Sequence, residues 1–267
     1  MERRRVKILI CGCGNMGGAM LTGWLAGGID PNSFTVVDPL LAAAPDGVQL
    51  LREVPDEQFD FVLLGVKPQS LADVAPGLSR AVQGAVLLSI LAGAELHTLV
   101  TRFPTAAAVV RVMPNLAAAI GKSPLGLISH GLDEAGRKKV EALLAPLGTA
   151  EWLDNDAELD AVTALAGSGP AFVYRFISAL ASGGEALGLD PAQADRLARA
   201  MVEGAAMLAA ASPESPAELA RRVTSPGGTT AAGLAVMDAG DEFTRIVGEV
   251  LRAARDRGVE LAAAARA

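Results

Sequence analysis

The run Gly12-Cys13-Gly14-Asn15-Met16-Gly17 constrains this chain more than any other stretch. It follows an apolar run, Val6 to Cys11, and opens a helical pattern near Met16. Glycines spaced this way between a strand and a helix have separate jobs: a tight turn, close backbone approach to a pyrophosphate, and close helix packing, with the diphosphate on the helix N-terminus. Asp38 ends the next apolar run, Phe34 to Val37, where such a unit places the carboxylate that meets a ribose 2′-hydroxyl. Gly12, Gly14, Asn15, Met16, Gly17 and Asp38 are the first candidate cofactor contacts.

The first half alternates short apolar runs with helical stretches, as βαβ units of a parallel-rich sheet require. Further strands are expected over Asp60 to Val66, Ala85 to Ile90 and Ala106 to Val112. The sheet then finishes with Pro124 to Ser129, a helix over Glu134 to Leu147, and Ala150 to Leu153. Ligands of such sheets lie outside the carboxyl ends of the strands. The loops Val66-Lys67-Pro68-Gln69, Leu91-Ala92-Gly93 and Met113-Pro114-Asn115 are therefore expected to line a cofactor crevice. The competing reading makes them ordinary strand-to-helix turns, with Pro68 at a helix N1 position and Gly93 as a turn residue.

With 267 residues, 51% of them hydrophobic, the chain is large enough for one large or two ordinary domains with a real core. A net charge of -7 without a basic tail argues against nucleic acid as partner. The start Met1-Glu2-Arg3-Arg4-Arg5 imitates a signal peptide, but Lys7 and the turn at Gly12 break the apolar region too early, so it reads as a buried first strand. The longest apolar stretches are interrupted by charges such as Lys67 and Arg111, so no membrane span is expected and a cytoplasmic enzyme is the default. The two cysteines, Cys11 and Cys13, are alternate residues, poorly placed for a disulfide and too few for structural zinc. They read as small packing residues. His97 and His130 lack a neighbouring carboxylate pattern and read as surface or helix-end residues.

Beyond about Asp154 the strand pattern stops and everything reads as helix with Ala- and Gly-rich faces. The expected division is therefore a dinucleotide-binding α/β domain over 1–154 and an all-helical domain over 155–267. One helix should run from near Pro170 towards Ala186, and Asp190-Pro191 should cap and start the next. Leu197, Met201, Gly204 and Leu208 share one face of that helix. Ser215-Pro216-Ala217-Glu218 reads as a capping box, and a last helix from about Asp241 carries Phe243, Ile246, Val250 and Ala254 as its apolar stripe. Helices apolar nearly all round imply burial between subunits and an obligate dimer through this domain.

What the second half lacks limits its chemistry: residues 151–267 contain no Lys, His or Cys, and Tyr174 is the only tyrosine of the chain. A lysine or histidine acid-base catalyst from this domain is excluded. It does contain Val223-Thr224-Ser225-Pro226-Gly227-Gly228-Thr229-Thr230, a glycine-rich loop opening the helical run Ala231 to Met237. Free backbone amides, flanking hydroxyls and a helix N-terminus make a carboxylate cradle. A capped inter-helix loop is the alternative reading. A second small-residue turn, Ala166-Gly167-Ser168-Gly169-Pro170, opens another helix of the same domain.

Taken in order, five stretches make the chain resemble the pyrroline-5-carboxylate reductases over nearly its whole length: Gly12 to Gly17, Val66 to Gln69, Arg111 to Asn115, Leu165 to Ala171, and Thr224 to Gly233. The resemblance implies a Rossmann domain followed by an all-helical dimerisation domain, with the helices of two subunits interleaved and dimers in many cases gathered into a decamer. It implies reduction of 1-pyrroline-5-carboxylate to L-proline by NADPH or NADH, the last step of proline biosynthesis, with substrate held between a Rossmann domain and the interleaved helices. It further implies that Ser225 and the amides of Thr229 and Thr230, in the loop carrying Gly227 and Gly228, hold the substrate carboxylate. The Thr230 hydroxyl would meet the ring nitrogen as hydrogen-bond partner or proton relay, simple helix capping being the alternative. Val66, Lys67 and Pro68 would pack near the nicotinamide ribose and Asn115 would approach the carboxamide, with Ala92 and Gly93 lining the same crevice.

The implied chemistry agrees with the residues present, because hydride transfer to a protonated cyclic imine needs positioning more than an internal base. The chain departs from the resemblance at Leu116, where relatives usually have Thr, and at Lys122-Ser123-Pro124, where a glycine often follows. Asp38 repels a 2′-phosphate, and no basic residue follows it until Arg52, which hints at NADH use where many relatives take NADPH. The alternatives are another imine or hydroxyacid reductase of the same plan, for which a lysine in the helical domain would be expected, or a nucleotide-sensing protein that has lost catalysis.

Overall fold

The computed structural model describes residues 5–266, so the basic start Met1–Arg4 lies outside the described residues. The chain divides into two compact units, one formed by residues up to Gly167 together with those from Ala254 onward, the other by Ser168–Ala253. The division falls later than the composition shift after Asp154. The helix that follows the last strand keeps Leu159 fully buried with Met113 and Ile128, so it belongs to the sheet's core although its composition resembles what comes next.

In the first unit, β1 (Ile8–Cys11), β2 (Phe34–Val37), β3 (Gln49–Leu51), β4 (Phe61–Leu64), β5 (Val86–Ser89), β6 (Ala108–Met113), β7 (Ser123–His130) and β8 (Gly148–Trp152) form one sheet in the order β3-β2-β1-β4-β5-β6-β7-β8. Among the described residues only β6 and β7 pair antiparallel. β2 has the expected limits, the other expected strands keep their places with shifted ends, and β3 is additional. Three residues long and only partly buried at the sheet edge, β3 has too little alternation to announce itself.

α1 (Asn15–Ala26), α2 (Leu71–Val74), α3 (Leu96–Arg102), α4 (Glu134–Leu144) and α5 (Asp156–Val162) follow in chain order. The strands are apolar on both faces because helices cover both. Ile8 and Ile10 of β1 join the cluster of Trp24, Phe34 and Leu144, whereas Leu9 and Cys11 join that of Leu78, Leu99 and Phe103. Trp24 anchors the first cluster by stacking on Phe34 at 5.5 Å and donating its indole N–H to the Leu143 carbonyl at 2.7 Å. α4 stops short of the expected Leu147 because Pro146 cannot continue it, and Ala145–Leu147 form a 3-10 turn instead.

The second unit consists of α6 (Gly169–Ala186), α7 (Pro191–Ala211), α8 (Pro216–Arg222), α9 (Thr229–Met237) and the first part of α10 (Glu242–Arg266). Asp190 caps α7 by accepting from the Gln193 amide, as expected. The capping box at Ser215 is one-sided: Ser215 accepts from the Glu218 amide, while the Glu218 carboxylate pairs with Arg221. The small residues Ala181, Ala194 and Ala198 form the buried seam of α6 and α7, and Gly184 lies so close to Leu189 and Ala194 that a Cβ would stand 3.3–3.4 Å from them. Outside that seam the unit leaves Val173, Tyr174, Phe176, Leu197, Met201, Leu208, Phe243 and Ile246 in water, each at least 40% exposed. Each such side chain gains about 1.5–3 kcal/mol on full burial, so an isolated copy of this unit forgoes a large stabilisation.

Candidate active site

The end of β1 builds the first half of the site. Gly12 has φ +88° and donates to the Val37 carbonyl at 2.9 Å, and a Cβ there would stand 2.7 Å from the Val66 nitrogen. Only glycine lets the ends of β1 and β4 approach so closely, and Gly17 is required likewise because its Cβ would meet the Gly12 carbonyl at 2.7 Å. Gly14 differs, since a Cβ there meets nothing within 4 Å. It is the N-cap of α1 and provides no side-chain cap, so the first amides of a twelve-residue helix at exposed Asn15 and partly exposed Met16 are left for an anion. These three glycines fit a dinucleotide pyrophosphate by their surroundings as well as by spacing.

Asp38 joins this turn from β2. Its carboxylate accepts from the Cys13 amide at 2.8 Å and from the amides of Leu40 and Leu41 at 2.8 and 3.1 Å. Burial works to raise its pKa, but the donated amides and the nearby Arg52 outweigh it and hold the carboxyl below the usual range. The carboxylate therefore stays charged and is locked onto the glycine turn. The same charge and their own burial push both thiols up, burial first, Cys11 to about 11. Both cysteines are buried and free, as packing residues should be.

The loops after β4 and β5 supply the second half. Lys67 is exposed and extended, and Pro68 opens the 3-10 turn Pro68–Ser70. Gly93 takes φ +79°, with Ala92 exposed beside it. Pro68, Gln69, Ala92, Gly93 and Thr98 line a cavity of about 420 Å³, which Leu261 of the returning α10 also borders. The structure thus gathers Gly12, Asp38 and Val66 at one place and Pro68, Ala92 and Gly93 at another along the carboxyl ends of the strands.

Asn115 follows β6 but is turned inward. It is 6% exposed, its side chain accepts from the Ala117 amide and donates to the Ala166 carbonyl, and its own amide donates to Ser123 Oγ. Ser123, one of the departures noted in the sequence, is thus one of the residues that fix Asn115. Leu116, the other departure, is 54% exposed.

In the second unit, Ser225, Pro226, Gly227 and Gly228 form a tight turn closed by the Gly228 amide on the Ser225 carbonyl at 3.0 Å, with Gly227 at φ +68°. Proline followed by a left-handed glycine is the signature of a type II turn. A Cβ on Gly228 would stand 2.5 Å from Ser225 Oγ, so glycine there lets the hydroxyl fold over the turn. α9 begins directly afterwards without a side-chain cap, whereas α4, α5, α7 and α8 are capped by Asp133, Asn155, Asp190 and Ser215. Ser225, Thr229 and Thr230 are exposed around these free amides. His97 and His130 are exposed elsewhere, and the described residues hold no cluster of metal ligands. No helix among the described residues is long and apolar enough to cross a membrane.

Comparison with known proteins agrees with this arrangement. The family described as pyrroline-5-carboxylate reductase dimerisation matches residues 156–261, and that described as NADP oxidoreductase coenzyme F420-dependent matches residues 7–93. Pyrroline-5-carboxylate reductase of Pseudomonas aeruginosa is 36% identical, with 96% of this chain and 97% of that protein covered. That of Methanosarcina acetivorans is 33% identical over 98% and 99%. Among solved structures, a pyrroline-5-carboxylate reductase from Coxiella burnetii superposes with a TM-score of 0.89 at 28% identity, covering 97% of this chain and 99% of that one. The Plasmodium falciparum pyrroline carboxylate reductase, solved with NADP bound, shares the fold with a TM-score of 0.83 at 23% identity over 96% and 98%. Full-length relatives, the dimerisation match and the two-part architecture together place this chain in the pyrroline-5-carboxylate reductase family, a family of NAD(P)H-dependent oxidoreductases.

Proposed function

We propose that the chain reduces 1-pyrroline-5-carboxylate to L-proline, with residues 1–154 taking NADPH or NADH and residues 155–267 binding substrate and forming a homodimer, from which a decamer can be built. The observation that carries the substrate assignment is the uncapped N-terminus of α9 behind the Ser225–Gly228 turn.

A reduced nicotinamide dinucleotide, when bound, supplies the hydride. Gly12, Gly14 and Gly17 with the first amides of α1 hold its pyrophosphate, Asp38 faces the adenosine ribose, and Val66, Lys67, Pro68, Ala92 and Gly93 border its nicotinamide end. Asn115 stiffens the neighbouring loop through its internal bonds and lies where the loop would approach the carboxamide. The amides of Thr229 and Thr230 and the Ser225 hydroxyl hold the substrate carboxylate in the partial positive field at the start of α9. The Thr230 hydroxyl hydrogen-bonds the ring nitrogen. The protonated imine is already electrophilic, so the protein's task is to hold the ring, keep the nitrogen protonated and exclude competing geometries. The absence of Lys and His from 151–267 suits this reaction and disfavours a hydroxyacid reductase. We place the enzyme in the cytoplasm.

Purified protein mixed with pyrroline-5-carboxylate and NADPH or NADH should lose reduced-nicotinamide absorbance as proline accumulates. Dinucleotide binding without oxidation would favour another imine substrate or a nucleotide sensor.

A further inference from the structure

We infer that Asp156 is a positioning residue for the dinucleotide: its carboxylate, carried by Arg111, holds the first amide of α3 and so sets the Leu91–Glu95 loop. Arg111 lies within β6 and is 3% exposed, registered opposite Ser89 of β5 and Ile128 of β7. A guanidinium in such a place must be paired. Its partner is Asp156, the first residue of α5, and Asp160 also faces it, with Glu95 close to Asp160 in turn.

The same Asp156 oxygen accepts from the Leu96 amide at 3.2 Å. α3 receives no capping bond from Glu95, its own N-cap residue, so its first turn is fixed from a part of the chain 60 residues away. At the other end of the loop, the Ile90 amide donates to the Leu64 carbonyl at 3.1 Å and the Leu91 amide to Ser89 Oγ at 3.3 Å. Between these anchors lie Ala92, exposed, and Gly93, left-handed.

Two well-packed apolar side chains would stabilise the interior at least as well as a buried ion pair. The geometry points instead to orientation: Arg111 locks the carboxylate that locks the loop. The inference rests on the reading that Ala92 and Gly93 border the dinucleotide.

NADPH is titrated into the full-length protein and its variants. Asp156→Ala should raise the Kd on the order of tenfold. Asp156→Asn, whose amide oxygen still accepts from Leu96, should stay within about twofold of the parent. Both variants remove the Asp156 charge from Arg111, and melting curves of both are recorded beside the titrations, so a purely structural role would move each Kd only in step with lost stability. Equal Kd values for the two variants, or an unchanged Kd in Asp156→Ala, would overturn the inference. Ala92→Phe, at an exposed position, tests the underlying reading: it should weaken NADPH binding, and an unchanged Kd would overturn reading and inference together. Should the Asp156 variants not fold, hydrogen exchange of the parent decides. The Leu96 amide should be protected, and exchange at the rate of open loop amides would overturn the proposal.

Discussion

Arg52 braces the main chain at Asp38: its Nη1 donates to the Asp38 carbonyl at 2.7 Å and to the Leu41 carbonyl at the same distance. Fourteen positions separate Arg52 from Asp38, yet β3 lies beside β2 with Leu51 opposite Val37, so the two are neighbours in space. The cation that appears remote along the sequence thus stands beside Asp38, whose carboxylate we assign to the ribose. It remains exposed, where the phosphate of NADPH would need compensation.

Asp38→Ser should therefore shift the preference towards NADPH. Removing the anion while Arg52 stays should raise the ratio of kcat/KM for NADPH over that for NADH on the order of tenfold. Stability should fall as well, because the amides of Cys13, Leu40 and Leu41 lose their acceptor. An unchanged ratio would remove Asp38 from cofactor choice.

Thr230→Ala should lower turnover about 100-fold while leaving NADPH affinity as it is. Thr230 is exposed and α9 has no side-chain cap to lose, so the fold is not expected to suffer. Steady-state kinetics beside a cofactor titration separate the outcomes, and equal turnover would end the assigned role.

Much of this molecule is readable from local pattern, and what is not depends on long-range neighbours. The glycine turn, β2 and the α7 cap at Asp190 announce themselves because each carries its signature within a few positions of sequence. β3 is too short for a periodic signal, and with it the return of Arg52 to Asp38 is lost. Arg111 can be read as a charge that breaks an apolar run, but its pairing with Asp156 arises only once β6 and α5 are packed. Asn115 can be read as a loop residue near the ligand, and only the fold shows its side chain spent on Ala117 and Ala166. The exposed apolar faces of α7 and α10 agree with the burial between subunits expected from their composition.

Cys11 gives a prediction in pH. Its folded pKa is pushed up to about 11, against about 8.5 for a free thiol. The folded state favours the protonated thiol, so this contribution is fully present below about pH 8.5 and is lost as pH rises towards the folded value. Between about pH 8 and about pH 10.5, wild-type unfolding free energy should fall about 2 kcal/mol further than that of Cys11→Ala. Denaturant titrations at both pH values measure the difference, and equal losses would show that Cys11 is not the group responsible.

Gly12 and Gly14 should respond differently to the same added methyl. In Gly12→Ala the Cβ would press on the Val66 nitrogen at 2.7 Å and the Gly65 carbonyl at 2.8 Å, at a φ of +88°. These are backbone atoms that no rotamer change can move, so the ends of β1 and β4 must part at a cost of about 1–3 kcal/mol in stability. In Gly14→Ala the methyl meets nothing in the protein, so stability should change by less than about 0.5 kcal/mol. Its methyl would occupy the open space before the free amides of α1, where the pyrophosphate is assigned, and NADPH affinity should fall on the order of tenfold. Paired melting curves and NADPH titrations decide it. A Gly14→Ala protein that binds NADPH as tightly as wild type would move the pyrophosphate away from the start of α1.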